Sequence, residues 1–227
     1  MPSARPGIRR SDVFPLALLT AFTAIWIALA ISPNYRQDWL LENVLVLIAI
    51  PSLVLGYRRA GISHPGWMAI FLFLVFHEIG AHYTYSEVPY QQWFASVTGG
   101  TEPAWQRNHY DRAVHFLYGL LITLPAFEVI ARHARPCGLW IYLLTFTFML
   151  SHSLGYELIE WAAAVAFGGE LGDAYLGTQG DVWDAQKDMA LAALGTAITI
   201  SALAIHHWRS GGIDAARASA VPSRASG

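Results

Sequence analysis

Long apolar runs separated by short polar segments dominate the chain and predict a bundle of membrane-spanning helices. About 20 apolar residues are enough for a helix to cross the hydrocarbon core of a bilayer. Six runs approach or exceed that length, at about 12–31, 39–57, 66–85, 111–131, 138–167 and 184–208. The fifth is long enough to tilt or to break near one end. The pattern predicts an all-α fold, a polytopic membrane helix bundle with about six transmembrane helices.

The same pattern divides the chain into three parts. We predict an N-terminal segment at 1–11, a transmembrane domain at 12–208, and a disordered tail at 209–227, which is rich in Ala, Ser and Gly. The first run has an alternative interpretation, because a basic start followed by an apolar run and Ala28-Leu29-Ala30 also resembles a cleaved signal peptide. The run exceeds the usual apolar region of such peptides, about 7–15 residues, which favours a retained span.

Composition narrows the class of protein further. The 227 residues are 55% hydrophobic and only 13% charged, and the mean hydropathy is +0.38. A soluble domain carries about 25% charged residues. The net charge of −2 leaves no basic surface for nucleic acid. The single cysteine, Cys137, excludes an intrachain disulfide and a multi-cysteine metal site. We therefore expect an integral membrane protein with membrane lipid as its partner, and the oligomeric state stays open.

The two kinds of charge lie at opposite ends of the predicted spans. Ten of the 14 basic residues flank one end, and they are Arg5, Arg9, Arg10, Arg58, Arg59, Arg132, Arg135, Arg209, Arg217 and Arg224. The positive-inside rule then predicts that both termini are cytoplasmic. Thirteen of the 16 acidic residues fall toward the outer side. Acidic residues contribute little to topology, so their bias needs another explanation.

Four groups of ionisable residues lie at the outer end of spans three to six. Within each group the spacing of three, four or seven residues places the members on one helix face. The groups are Glu78 with His82, Asp111 with His115, Glu157 with Glu160, and Asp181 with Asp184 and Asp188. An ionised group at the bilayer centre costs about 2.5–3.5 kcal/mol on insertion scales. We therefore expect these groups to pair, to bind a cation or to line a wet cavity.

Histidines and carboxylates at one depth are the ligands of a divalent metal such as zinc, which is the cofactor that the sequence suggests. The predicted metal ligands are His77, His82, Asp111, His115, Glu157, Asp181 and Asp188. The predicted catalytic carboxylates are Glu78, Glu160 and Asp184. The predicted substrate-binding residues are Tyr83, Tyr85, Arg112, Tyr118, Gln179 and Lys187. The spacing is not a zinc signature, because His77 and His82 diverge by about 140° unless the helix breaks at Gly80.

Three kinds of function remain open at this point. The first is metal-assisted binding, hydrolysis or transfer of a lipid-linked envelope substrate in an outward-facing pocket. The second is a non-enzymatic lipid- or partner-binding protein whose polar layer is structural and pairs with Arg112 and Lys187. The third is a small transporter, for which Thr123 and Glu128 alone make no continuous polar path. A serine hydrolase is disfavoured because the chain lacks G-x-S-x-G.

Two connecting segments also admit two interpretations each. The turn-rich segment 175–181 contains Gly177 and Gly180, whose backbone freedom suits either an anion-binding loop or an ordinary turn before the last span. The segment 86–110 is either a lid on the membrane surface or a simple connector.

Three long motifs in this chain resemble the YjdF family of bacterial inner-membrane proteins. They are HEIGAHYTYSEVP at 77–89, RNHYDR at 107–112 and LGTQGDVWDAQKDM at 176–189. The resemblance extends from about Arg10 to Trp208. It implies a multi-pass protein of the bacterial inner membrane, and it implies no particular reaction.

A weaker resemblance is to the VanZ-like membrane proteins. Asp111, His115 and Phe116 match the Asp-x-x-x-His-Phe pattern of that family, and Glu157 and Asp184 match its later acidic positions. The remaining two positions differ, since Glu160 and Asp188 stand where that pattern has glutamine and asparagine. The added acidity favours a cation over a neutral ligand.

Overall fold

All regular structure in the described residues is helical. The computed structural model describes residues 10–99, 107–169, 172 and 176–210. Its long helices are α1 (Val13–Leu29), α2 (Arg36–Ala60), α3 (His64–Tyr83), α5 (Tyr110–His133), α6 (Trp140–Phe167) and α7 (Asp184–Arg209). A short helix, α4 (Tyr90–Thr98), lies between α3 and α5. Each of the six predicted spans coincides with one long helix, which confirms the all-α fold class.

Not every long helix is recognised as a membrane span from its length and apolar composition alone. Four of them, α2, α3, α5 and α7, are long and apolar enough to cross a membrane, and α1 is apolar but shorter at 17 residues. The helix α6 has 28 residues, so it is about 42 Å long. It is continuous rather than broken near its end. Since the hydrocarbon core is about 30 Å thick, α6 is longer than the core.

Some of the sequence predictions lie outside the described residues. Most of the predicted N-terminal segment (1–9) and of the tail (211–227) belongs to this part, as do residues 100–106 and 173–175. Within 86–110, which we predicted as a lid or a connector, the described part contains α4 and the start of α5.

The long helices form two groups of three. The helices α1 and α2 pack on α3, around a core of Phe22, Val46, Ile70 and Leu74. The helix α6 packs on α5 and α7, with Phe127 at the core of that group. Most of the contact between the two groups is that of α3 with α5. Residues at one end of this seam are therefore contributed by both groups.

The closest helix contact is the crossing of α5 and α7. A Cβ atom on Gly119 would lie 2.0 Å from the carbonyl oxygen of Ala192, and one on Gly195 would lie 2.3 Å from that of Phe116. Small residues allow such backbone approach in membranes. Gly119 and Ala192 each lie one helical turn from His115 and Asp188, respectively. The crossing therefore sets how far apart these two side chains stand.

The carboxylate of Glu128 helps to begin α3. The side chain of Glu128 accepts a hydrogen bond from the backbone N–H of Ser63 at 3.0 Å. The hydroxyl of Ser63 accepts the N–H of Gly66 at 3.2 Å, as an N-cap residue does. This carboxylate therefore satisfies a helix terminus at the end of the bundle that carries Arg58 and Arg132.

Candidate functional site

One end of the bundle carries a buried layer of ionisable side chains contributed by α2, α3, α5, α6 and α7. We call it the polar layer, and its members are Asp38, Glu42, His77, Glu78, Asp111, Arg112, His115, Glu157, Glu160, Asp184 and Asp188. Five of them, Glu42, His77, Glu78, Asp184 and Asp188, are each at most 6% exposed. This is the end of spans three to six at which the sequence predicts a shared layer.

His115 lies at the centre of the polar layer. One turn along α5, Asp111 places Oδ1 3.6 Å from His115 Nε2, and on α6 Glu157 places Oε1 3.7 Å from His115 Nδ1. Two sets of potential ligand atoms meet there, each within 4.8 Å of one another. The first set is Asp111, His115 and Asp188, and the second is His115, Glu157 and Glu160.

Each set contains a buried carboxylate oxygen without a hydrogen bond. In the first set it is Oδ1 of Asp188, whose residue is 2% exposed, and in the second it is Oε1 of Glu157, whose side chain is 9% exposed. A buried polar group left unsatisfied costs about 1–3 kcal/mol, and more if it is charged. These oxygens therefore favour a proton or a cation beside them.

Next to His115, basic side chains at the edge of the polar layer form ion pairs with Asp181 and Asp184. Arg112 Nη2 lies 2.5 Å from Asp181 Oδ2 and 3.1 Å from Asp184 Oδ1. Lys187 Nζ contacts the same oxygen of Asp181 at 2.5 Å, and Arg107 Nη2 contacts Asp184 Oδ1 at 2.5 Å. Asp181, predicted as a metal ligand, and Asp184, predicted as a catalytic carboxylate, thus form ion pairs with these basic side chains. Arg107 was not among the predicted site residues.

On the side of the layer formed by α2 and α3, one hydrogen bond joins the two helix groups and others hold His77 in place. The hydroxyl of Tyr156 donates to Glu42 Oε2 at 3.2 Å. His77 contacts the carbonyl oxygen of Glu42 through Nε2 at 3.2 Å and the hydroxyl of Tyr85 through Nδ1 at 2.5 Å. Both ring nitrogens of His77, a predicted metal ligand, are therefore engaged.

Among the described residues, neither Glu78 nor His82 of α3 belongs to the ligand sets at His115. The ring Nδ1 of His82 donates to the carbonyl oxygen of Leu29 at 2.7 Å. Glu78 is fully buried beside Asn43 of α2. The helix continues to Tyr83 without a break at Gly80, so His77 and His82 point to different neighbours.

The predicted substrate-binding residues that form no ion pair are engaged with other side chains or with the backbone of the protein. Tyr118 stacks on His152 with ring centroids 5.4 Å apart. Gln179 exchanges two hydrogen bonds with the backbone of Asn108, at 2.9 and 3.0 Å. The ring of Tyr83 packs edge-on against Trp93 at 5.7 Å. Tyr118 lines the cavity described next, whereas the structure places Tyr83 and Gln179 outside it.

Two small cavities meet at Asp111. One, of about 60 Å³, lies between α2, α3, α5 and α6 and is lined in part by Tyr85, Asp111, His115 and Tyr156. The other, of about 10 Å³, is lined by Asp111 and Tyr85 again and by Glu160. A water needs roughly 10–15 Å³ of such volume. The first cavity therefore has room for an ion with a few waters beside His115.

A larger recess of about 270 Å³ lies between α1, α2 and α3. Its lining is apolar, with Leu19, Ile70 and Phe71 among the contributing residues. At its margin, Arg58 and Asp12 form an ion pair of 3.8 Å. It does not include the side chains of the polar layer, so it takes no part in their chemistry.

Asp181 lies in the loop before α7, and its environment predicts an acid-dependent contribution to stability. Hydrogen bonds from Lys187, the backbone N–H of Trp183 and Arg112 hold the pKa of Asp181 below its ordinary value. A carboxylate with a lowered pKa in the folded state stabilises that state above its unfolded pKa of about 4. The contribution is lost as the pH falls from there through the lowered value.

The Asp181→Asn variant is therefore expected to unfold at a lower temperature than the wild type at pH 7. The difference is expected to shrink steadily as the pH falls below about 4, because the wild type then loses the same charge. The measurement is thermal unfolding of the detergent-solubilised protein, followed by circular dichroism from pH 7 to pH 2.5. A difference that is independent of pH contradicts the assignment.

Comparisons with known proteins agree with the helical layout. The family model described as "Predicted membrane protein (DUF2238)" matches residues 14–209, which contain all the long helices except the first residue of α1. The "Inner membrane protein YjdF" of Escherichia coli (strain K12) is 36% identical over 210 residues, covering 90% of this chain and 93% of that protein. No solved structure matches the chain. The resemblance to the YjdF family is thereby confirmed, while that to VanZ-like proteins stays a prediction.

Proposed function

Since the chain belongs to the DUF2238 family of predicted membrane proteins and is a multi-pass protein of the inner membrane, we propose a cation-dependent role for its polar layer. In this proposal the layer binds a divalent cation at His115. With that cation it binds a phosphate-bearing, lipid-linked substrate and promotes hydrolysis or transfer at the phosphate.

The observation that carries the proposal is the set of Asp111, His115 and Asp188. Its ligand atoms lie within 4.8 Å of one another, and Asp188 adds a buried oxygen without a hydrogen bond. Three protein ligands with a fourth position open to water are typical of catalytic zinc sites. Asp111 and His115 also line the 60 Å³ cavity, which supplies that open position. A bound divalent ion would lower the pKa of its water and polarise a phosphoryl oxygen.

The balance of charge supports a cation rather than an anion at this place. Four carboxylates surround His115, two in each set of ligand atoms. The nearby cations Arg107, Arg112 and Lys187 are already engaged by Asp181 and Asp184. Buried charges without partners are strongly unfavourable, so the four carboxylates need positive charge or protons.

The surroundings support a phosphate-bearing substrate that arrives from the membrane. Glu160 lines the small cavity next to Asp111 and belongs to the second set of ligand atoms, where a carboxylate can act as a general base. Lys187 is about half exposed at the rim of the layer. The layer lies opposite the arginine-rich helix ends, so the positive-inside rule predicts that it faces outward.

Removing the cation is expected to abolish turnover. Purified protein is treated with a chelator, dialysed, and reloaded with Zn²⁺, Mn²⁺ or Mg²⁺, and bound metal is measured by mass spectrometry. Phosphate release from farnesyl diphosphate and from phosphatidic acid serves as the activity probe. We expect stoichiometric metal and at least a 100-fold loss of release on chelation, reversed by one of the ions. Wild-type protein that retains no ion after loading refutes the proposal.

A non-catalytic membrane protein is the second candidate, and the ion pairs of Asp181 and Asp184 favour it. In that case substitutions in the layer lower the yield of folded protein without abolishing a specific activity. A transporter has less support, because Thr123 and Glu128 are engaged in helix contacts: Thr123 donates to Thr196 at 3.2 Å, and Glu128 holds the start of α3.

A further inference from the structure

We propose that the polar layer has a second cation position, formed by Glu157, Glu160 and the other ring nitrogen of His115. This inference rests on the proposed function, since the second ion would lie beside the first. The ligand class is again a divalent cation, held by two carboxylates and an imidazole.

The geometry separates the two positions on opposite sides of one ring. His115 directs Nε2 toward Asp111, 3.6 Å away, and Nδ1 toward Glu157, 3.7 Å away. The nearest carboxylate of each set therefore faces a different ring nitrogen. Glu157 and Glu160 lie three residues apart on α6, so both are directed to the same side of that helix.

An independent observation points to a ligand in the second set as well. Oε1 of Glu157 accepts no hydrogen bond, and its side chain is only 9% exposed. Glu160 is also buried, with 9% of its surface exposed. A lone unsatisfied oxygen in the first set would be explained by one ion. An ion in the second set would give Oε1 of Glu157 the partner that it lacks.

The charge of the carboxylates around His115 also favours two divalent ions. The four carboxylates around His115 carry four negative charges when ionised, and one divalent ion compensates two of them. A second ion compensates the rest, without needing Arg107 or Arg112. A ring that ligates through both nitrogens has no N–H left, so its remaining proton leaves to solvent as the second ion binds, and the resulting imidazolate adds one negative charge beyond those that the two ions compensate.

A competing arrangement uses one ion only. There His115 ligates through Nε2 and donates its Nδ1–H to Glu157, as metal-bound histidines commonly do with a carboxylate. The two arrangements differ in the number of ions and in what Glu160 does. In the single-ion arrangement Glu160 touches no metal and stays available as a general base, whereas in the two-ion arrangement it is a ligand and not the base.

The experiment compares the number of bound ions in matched variants. Glu160→Gln alters only the second set and Asp188→Asn only the first, and each keeps the shape of the side chain. Glu128→Gln, a carboxylate at the opposite end of the bundle, is the control. Each full-length protein is saturated with Mn²⁺, dialysed, and measured by mass spectrometry and by electron paramagnetic resonance. Glu157→Gln replaces Glu160→Gln if the latter does not elute as a folded species.

We expect two bound ions in the wild type and in the Glu128→Gln control, and one in Glu160→Gln and in Asp188→Asn. The variant that combines Glu160→Gln with Asp188→Asn is expected to bind none. The wild-type resonance is expected to show coupling between two Mn²⁺ ions that both single variants lose. A wild type with one ion, retained in Glu160→Gln and lost in Asp188→Asn, overturns the second position and leaves the proposed function standing. One ion lost in both variants also overturns it, since a single ion then uses both sets. A wild type without ions refutes both proposals.

Discussion

Replacing Gly119 with alanine is expected to lower the unfolding temperature by about 10 °C or to prevent folding. The added Cβ would lie 2.0 Å from the carbonyl oxygen of Ala192, a backbone atom that cannot rotate away. Overpacking typically costs about 1–3 kcal/mol, and here two helix backbones must separate, so we expect the upper end or more. The measurement is thermal unfolding in detergent with size-exclusion chromatography.

Gly155 provides the matched control for this prediction. It lies inside α6, and a Cβ added there would meet nothing within 4 Å. Glycine inside a helix is about 0.5–1 kcal/mol less favourable than alanine. Gly155→Ala is therefore expected to leave the unfolding temperature unchanged or to raise it. Equal destabilisation by both substitutions would show that the α5–α7 crossing is not the tight contact described.

The Gly119 variant also connects the crossing to the site. His115 lies four residues before Gly119, and Asp188 lies four before Ala192. Any separation of the helices at the crossing therefore moves these two ligands apart. Protein that still folds with alanine at 119 is expected to bind the cation more weakly than the Gly155→Ala control.

Replacing His115 with alanine is expected to remove all bound cation. This side chain alone belongs to both sets of ligand atoms, so its loss leaves two pairs of carboxylates without a nitrogen ligand. We expect affinity to fall at least 100-fold, which corresponds to about 2.8 kcal/mol or more. Bound metal per protein, measured by mass spectrometry after dialysis, is the readout.

His152→Ala is the control for this second prediction. His152 lines the same 60 Å³ cavity but belongs to neither set of ligand atoms. It is expected to retain the wild-type number of ions. If both histidine variants lose the ions equally, the position assigned to the cation is wrong. If His115→Ala keeps them, the ligand set is wrong.

Much of the helical layout follows from the sequence because the bilayer imposes a length and a polarity on each span. The six long helices begin and end close to the predicted spans, as α7 does at Asp184. The short helix Tyr90–Thr98 was not predicted, because nine residues are too few to show a clear period. The role of Glu128 at the start of α3 was not predicted, because its partner Ser63 is 65 residues away.

For the candidate site, the sequence predicts at which end of the spans the ionisable residues lie, but not which of them contact one another. The spacing places Asp111 with His115 and Glu157 with Glu160, and in the structure all three carboxylates lie around the ring of His115. The sequence does not reveal which carboxylates face cations, since that depends on how each helix is rotated. Arg107 shows the limit: it precedes α5 in a loop, yet it contacts Asp184, 77 residues later.

The seam between the two helix groups has a consequence for the order of synthesis. Glu42 enters the membrane with the first three helices, whereas its partner Tyr156 follows 114 residues later. At about 5–20 residues per second, that interval is about 6–23 s. An ionised group held in the bilayer during this time is unfavourable. The nascent first half therefore holds Glu42 without this partner until the second half arrives, so the layer is completed only after α6 has entered the membrane.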